Sequence, residues 1–85
     1  MSQQFKCVIV DDEQSAIDVL SKYISKVDQL VLTTSFTDPV AALNFLEQES
    51  VDLVFMDINM PDLSGISLSR LIKGKDISII FCSLS

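Results

Sequence analysis

The sequence predicts an α/β fold, a doubly wound parallel sheet with strand order 2-1-3-4. Three observations predict it. Short apolar runs rich in β-branched residues alternate with stretches of helical period. The connections between them are short, and right-handed crossovers leave few topologies. The first and third runs are the most apolar, which places them centrally, whereas the second is more polar and suits an edge.

The elements follow in order. "FKCVIV" (5–10) is a continuous apolar run of the kind found in strands buried on both faces. A helix is expected from about Glu13 to Val27, with Ala16, Ile17, Leu20, Tyr23, Ile24 and Val27 on one face and Lys22 and Lys26 near its C-terminal end. "LVLTTSF" (30–36) reads as the second strand. "DPVAALNFLEQE" (38–49) reads as a helix with Asp38 as N-cap and Pro39 at the first helical position. "DLVFM" (52–56) is the third strand, "SLSRLIK" (67–73) a short helix stopped by Gly74, and "ISIIF" (77–81) the fourth strand.

Size and composition narrow the function. With 85 residues and a hydrophobic fraction of 48%, the chain suffices for one small domain of thin stability. A net charge of -6 argues against direct contact with nucleic acid or an anionic membrane. No apolar run reaches the ~20 residues of a membrane span, and "MSQQFKCVIV" lacks the features of a signal peptide. A cytoplasmic location is expected. The two cysteines, Cys7 and Cys82, lie in apolar strand-like runs and are expected to be reduced core thiols. In the 2-1-3-4 order they stand two strand spacings apart, roughly 10 Å, beyond disulfide reach. The sequence has no histidine and no CxxC, which removes zinc sites and histidine general bases.

The acids carry the functional signal. Ligands of open α/β sheets bind beyond the carboxyl ends of the strands, where the strand order reverses. Here that point lies between the first and third strands. Asp11 and Asp12 follow the first strand and Asp57 follows "DLVFM", with Glu13 and Asp62 nearby. Taken singly, Asp12 reads as a helix cap and Asp57 as a turn former before Pro61. Those readings leave unexplained why acids end both central strands. Two carboxylates ~4 Å apart at an effective dielectric near 20 repel by about 4 kcal/mol. A domain of thin stability needs a cation to offset that cost. Oxygen ligands without His or thiolate point to Mg²⁺ or a similar hard ion. No Gly-rich phosphate loop is present, and the candidate nucleophile is itself a carboxylate. Asp57, central in the crevice, is the natural phosphoryl acceptor beside such a metal.

"VIVDDE" (8–13) and "DLVFMDINMPDLSG" (52–65) together resemble the receiver domain of bacterial two-component response regulators. With the strand–helix order, the resemblance covers essentially the whole chain. It implies a flavodoxin-like fold and a domain that is phosphorylated by a sensor histidine kinase rather than an enzyme in its own right. By resemblance, Asp57 is the phosphoacceptor, Asp12 ligates Mg²⁺ directly, Asp11 more through water, and the Asn59 carbonyl supplies another ligand. Pro61 and Gly65 shape the loop, and Ser83 matches the hydroxyl that bonds the phosphoryl oxygen. Ser83 also reads simply as a frayed terminal serine. "TDPVAALNFL" with the following loop looks most like receivers that precede a LytTR-type DNA-binding domain, which would carry any DNA contact.

The sequence also departs from the family pattern. The family fold has five strands and five helices. Residues 1–85 are therefore expected to form an incomplete receiver, without the fourth helix, fifth strand and fifth helix. The lysine that normally ends the fifth strand has no counterpart, and Leu84 is bulky where a small residue is usual. The fourth strand is expected to be an exposed apolar edge, which admits completion by self-association, as a homodimer or by strand exchange. Two other readings stand beside the leading one. One is a receiver-like interaction module that does not switch. The other is a Mg²⁺-dependent phosphatase of the haloacid dehalogenase type, disfavoured because Asn59 stands where that family has a second acid.

Overall fold

The computed structural model describes residues 3–57 and 77–82. Along the chain run β1 (Phe5–Val10), α1 (Gln14–Ser25), β2 (Leu30–Phe36), α2 (Pro39–Gln48), β3 (Leu53–Asp57) and β4 (Ser78–Cys82). The four strands form one sheet in the order β2-β1-β3-β4, and every pair is parallel. This is the predicted order, with the polar second strand at one end. The third and fourth strands each lie one residue C-terminal of their predicted spans, a shift that brings Asp57 inside β3. The helix expected at 67–73 lies outside the described residues.

The period of two along each central strand divides its side chains between two cores. Val8, Val10, Val54 and Met56 pack on the α2 side with Ala42, Leu46, Val51 and Ile77. Cys7 and Ile9 pack on the α1 side with Ile17 and Ile24, against which Leu53 and Phe55 also lie. Ile9, Leu46, Met56, Val8, Val10, Val54 and Cys7 are fully buried. Burial of each large side chain among them contributes about 1.5–3 kcal/mol before the cost of ordering the chain.

β2 departs from simple alternation. Cys7 pairs with Leu32 but Val8 pairs with Thr34, so Thr33 is an extra residue between two registers. One inserted residue exchanges the faces of everything that follows it. Leu30 and Leu32 therefore join the α1-side core while Phe36, also even-numbered, joins the α2-side core. The sequence carries no signal for this, because Thr33 and Thr34 are the same residue type.

Asp38 caps α2 as predicted, its Oδ1 accepting from the Val40 N–H at 3.1 Å, with Pro39 at the first helical position. Glu13 is the N-cap of α1 and makes no side-chain cap bond, so Asp12 is not the cap. The predicted apolar face of α1 is too wide. Ile17 and Ile24 are buried, but Tyr23 is 61% exposed and Val27 is also exposed. Tyr23 instead lies under the Lys26 ammonium, 5.9 Å from its ring centre. Both cysteines are free; Cys7 is buried, whereas Cys82 is only half-buried, less of a core thiol than predicted. On β4, Ile80 and Phe81 are 41% and 57% exposed, as expected of an apolar edge among the described residues. No helix among the described residues is long and apolar enough to cross a membrane.

Candidate metal and phosphoryl site

The parallel order sends β1 and β3 in the same direction, side by side, with Cys7 to Val10 in register with Leu53 to Met56. One residue beyond Val10 is Asp11, and one beyond Met56 is Asp57. Two carboxylates must therefore emerge at the same edge of the sheet. Asp12 follows at the turn into α1. One oxygen from each of Asp11, Asp12 and Asp57 lies within 4.8 Å of the others. The predicted convergence is thus present for all three residues whose positions are described. Asn59, Pro61, Asp62, Gly65 and Ser83 lie outside the described residues. Glu13 meets the cluster through its backbone N–H, which donates to Asp11 Oδ1.

The three acids differ in environment. Asp11 is buried, 6% exposed, whereas Asp57 is half-buried and Asp12 exposed. Asp11 is held at both ends. Its N–H donates to the Phe36 carbonyl at 3.0 Å, and its Oδ1 accepts from the Glu13 N–H at 2.9 Å. Burial raises its pKa above the ordinary value; the Glu13 bond opposes this, and the charges of Asp57 and Asp12 add to the rise. A buried acid surrounded by like charge is a poor structural element and a good cation ligand.

The donor set fits a hard divalent ion. Ligand oxygens around octahedral Mg²⁺ at about 2.1 Å stand about 3–4.2 Å apart, so a cluster of this span needs little contraction to hold one. Oxygen-only ligands favour Mg²⁺ over softer metals.

Sequence reasoning missed two neighbours of the cluster. Cys82 is the register partner of Asp57, and its thiol pKa is raised by burial first and then by the charges of Asp11 and Asp57. Phe36 supplies the carbonyl that holds Asp11. Only the pairing of strands reveals either one.

The comparisons with known proteins agree with this geometry. The family model described as response regulator receiver domain matches residues 7–85. Protein MrkE of Klebsiella pneumoniae is 39% identical over 68 residues, covering 80% of this chain and 25% of its own length. Transcriptional regulatory protein YpdB of Escherichia coli K12 is 39% identical over 65 residues, covering 76% of this chain and 27% of its own. The chain thus spans about a quarter of the length of these relatives. Among solved structures, the response regulator domain of Thermotoga maritima CheB superposes with a TM-score of 0.77 at 26% identity, over 93% of this chain and 60% of that one. A doubly wound sheet in the 2-1-3-4 order, an acidic cluster at its carboxyl edge and a family match across residues 7–85 have one common meaning: the chain belongs to the response regulator receiver domains.

Proposed function

We propose that this receiver accepts a phosphoryl group on Asp57 from the phosphohistidine of a sensor histidine kinase, with Mg²⁺ at the acidic cluster. The convergence of Asp11, Asp12 and Asp57 oxygens at the ends of the two central strands carries the reading. An oxygen of Asp57 attacks phosphorus, the new O–P bond forms as the P–N bond breaks, and the electron pair leaves with the imidazole nitrogen. Asp11 and Asp12 would hold the cation, which would neutralise the incoming phosphate and the cluster's own charge. By family resemblance, the Asn59 carbonyl adds a ligand and the Ser83 hydroxyl bonds the transferred group. YpdB is a transcriptional regulator, which supports a DNA-binding output for a protein containing this receiver. The narrower link to LytTR-type outputs rests on sequence wording alone.

Incubation with Mg²⁺ and acetyl phosphate followed by intact mass measurement tests the reading. Wild type is expected to gain one phosphoryl group and Asp57→Asn none. Equal labelling of the two would move the acceptor elsewhere, and an unlabelled wild type would remove the function.

A further inference from the structure

We propose that Phe36 is a positioning residue for the acidic cluster, acting on Asp11 through the backbone and held in place by Phe45. The inference rests on the reading of that cluster as a Mg²⁺ site. Phe36 closes the β2 edge strand, in register with Val10, and its carbonyl accepts the Asp11 N–H at 3.0 Å. Among the described residues that bond ties the backbone of Asp11 to the edge of the sheet. The extra residue at Thr33 turns the Phe36 ring toward α2, where it meets Phe45 with ring centres 5.4 Å apart and planes tilted by 51°. Both rings pack against the α2-side core.

An edge strand has a ladder on one side only, so its last residue is prone to fray. The aromatic pair opposes that fraying at the point where the Asp11 N–H is received. The two bonds to Asp11 then act together. The Phe36 carbonyl fixes its backbone, and the Glu13 N–H fixes its carboxylate against the repulsion of Asp12 and Asp57. Groups that orient a metal ligand without touching the metal commonly set about 10–100-fold in affinity. Phe36 has that relation to Asp11.

The test uses Phe36→Leu, Phe36→Tyr and, as a control at the far end of α1, Ile24→Val. Mg²⁺ affinity is measured by titration and Asp11 amide exchange by NMR without Mg²⁺. Phe36→Leu is expected to weaken Mg²⁺ binding about tenfold and to speed Asp11 exchange several-fold. Phe36→Tyr, which keeps the ring pair, should restore both. Ile24→Val should leave Mg²⁺ affinity near wild type despite its loss of stability, and should speed Asp11 exchange no more than it speeds the exchange of core amides such as Val54. Unchanged Asp11 exchange in Phe36→Leu, or an equal loss of Mg²⁺ affinity in Ile24→Val, overturns the positioning role. A wild type without Mg²⁺ affinity overturns the reading of the cluster instead, and the exchange measurement still decides whether Phe36 positions Asp11.

Discussion

Asp52 and Asp11 are chemically identical and stand at opposite ends of the same two strands, yet they do opposite things. At the amino edge, the Asp52 carboxylate accepts the Lys6 N–H at 2.8 Å. Its own N–H donates to the Lys6 carbonyl, and its carbonyl accepts the Ser78 N–H. One residue thus stitches β1, β3 and β4 together where they begin. At the carboxyl edge, Asp11 is more deeply buried, and its neighbours include two further acids. The bond its carboxylate accepts from the Glu13 N–H opposes a pKa that burial and like charge raise. A carboxylate given backbone donors stabilises the fold, whereas one given like charge stores an energy that a cation can release. The family's sheet places the second kind where the strand order reverses and ligands enter.

The comparison can be broken first through Mg²⁺ binding. Asp11→Ala should lower Mg²⁺ affinity by about a hundredfold, judged against the 10–100-fold that even outer groups set. Asp52→Ala should leave affinity within a small factor of wild type. A similar loss in both, read by titration, would mean that the two aspartates do not divide the work.

Stability gives the next largest effect, in the reverse sense. Asp52→Ala removes a charge-assisted acceptor and leaves the Lys6 N–H without that partner, at a cost of about 2 kcal/mol. In a domain of this size the midpoint of thermal unfolding should fall by about 10 °C. A midpoint unchanged within a degree or two would show that water replaces the bond without loss.

Asp11→Asn should do the opposite. Asparagine keeps an oxygen for the Glu13 N–H but removes the charge. Without Mg²⁺ at pH 7, the midpoint should rise by about 5 °C, equivalent to about 1 kcal/mol. Excess Mg²⁺ should reverse the ranking, because it binds folded wild type more tightly. A variant no more stable than wild type without Mg²⁺ would place the repulsion elsewhere.

The smallest effect is the pH dependence of that gain. Asp11 titrates above its ordinary value of 3.8 in the folded protein. As pH rises, the unfolded chain therefore releases this proton before the folded one does. Ionisation of Asp11 costs stability progressively from the ordinary carboxylate value up through the raised one, and the full cost persists at neutral pH. The advantage of Asp11→Asn should accordingly shrink on acidification through that window. A difference in unfolding free energy that stays flat from pH 7 to about 4 would contradict the assigned direction.

Much of this fold is legible in the residues. "FKCVIV" and "DLVFM" are long enough apolar runs to demand burial on both faces, and that demand puts them in the centre of the sheet. Asp38 and Pro39 mark a helix start by local chemistry alone, and the structure agrees. The face of α1 was less legible. Tyr23 and Val27 fit the helical period, but period gives only direction, and whether a side chain in that direction meets another element depends on how far the sheet extends beneath it. The exchange of faces in β2 was not legible, since an extra threonine among threonines leaves no mark.

The candidate site divides in the same way. Its acids were visible because strands of known direction must end somewhere, and residues immediately after two neighbouring parallel strands must meet. The sequence by itself determined the layer order and the meeting of Asp11, Asp12 and Asp57 at one edge. Only the tertiary structure decided that Asp11 is buried while Asp12, its neighbour in the chain, is exposed. It also decided that Phe36 holds Asp11 and that Cys82 lies beside Asp57. The reason is physical. Periodicity and capping are local and act within a few residues, whereas burial, register and electrostatic environment are set by segments far apart in sequence that only packing brings together.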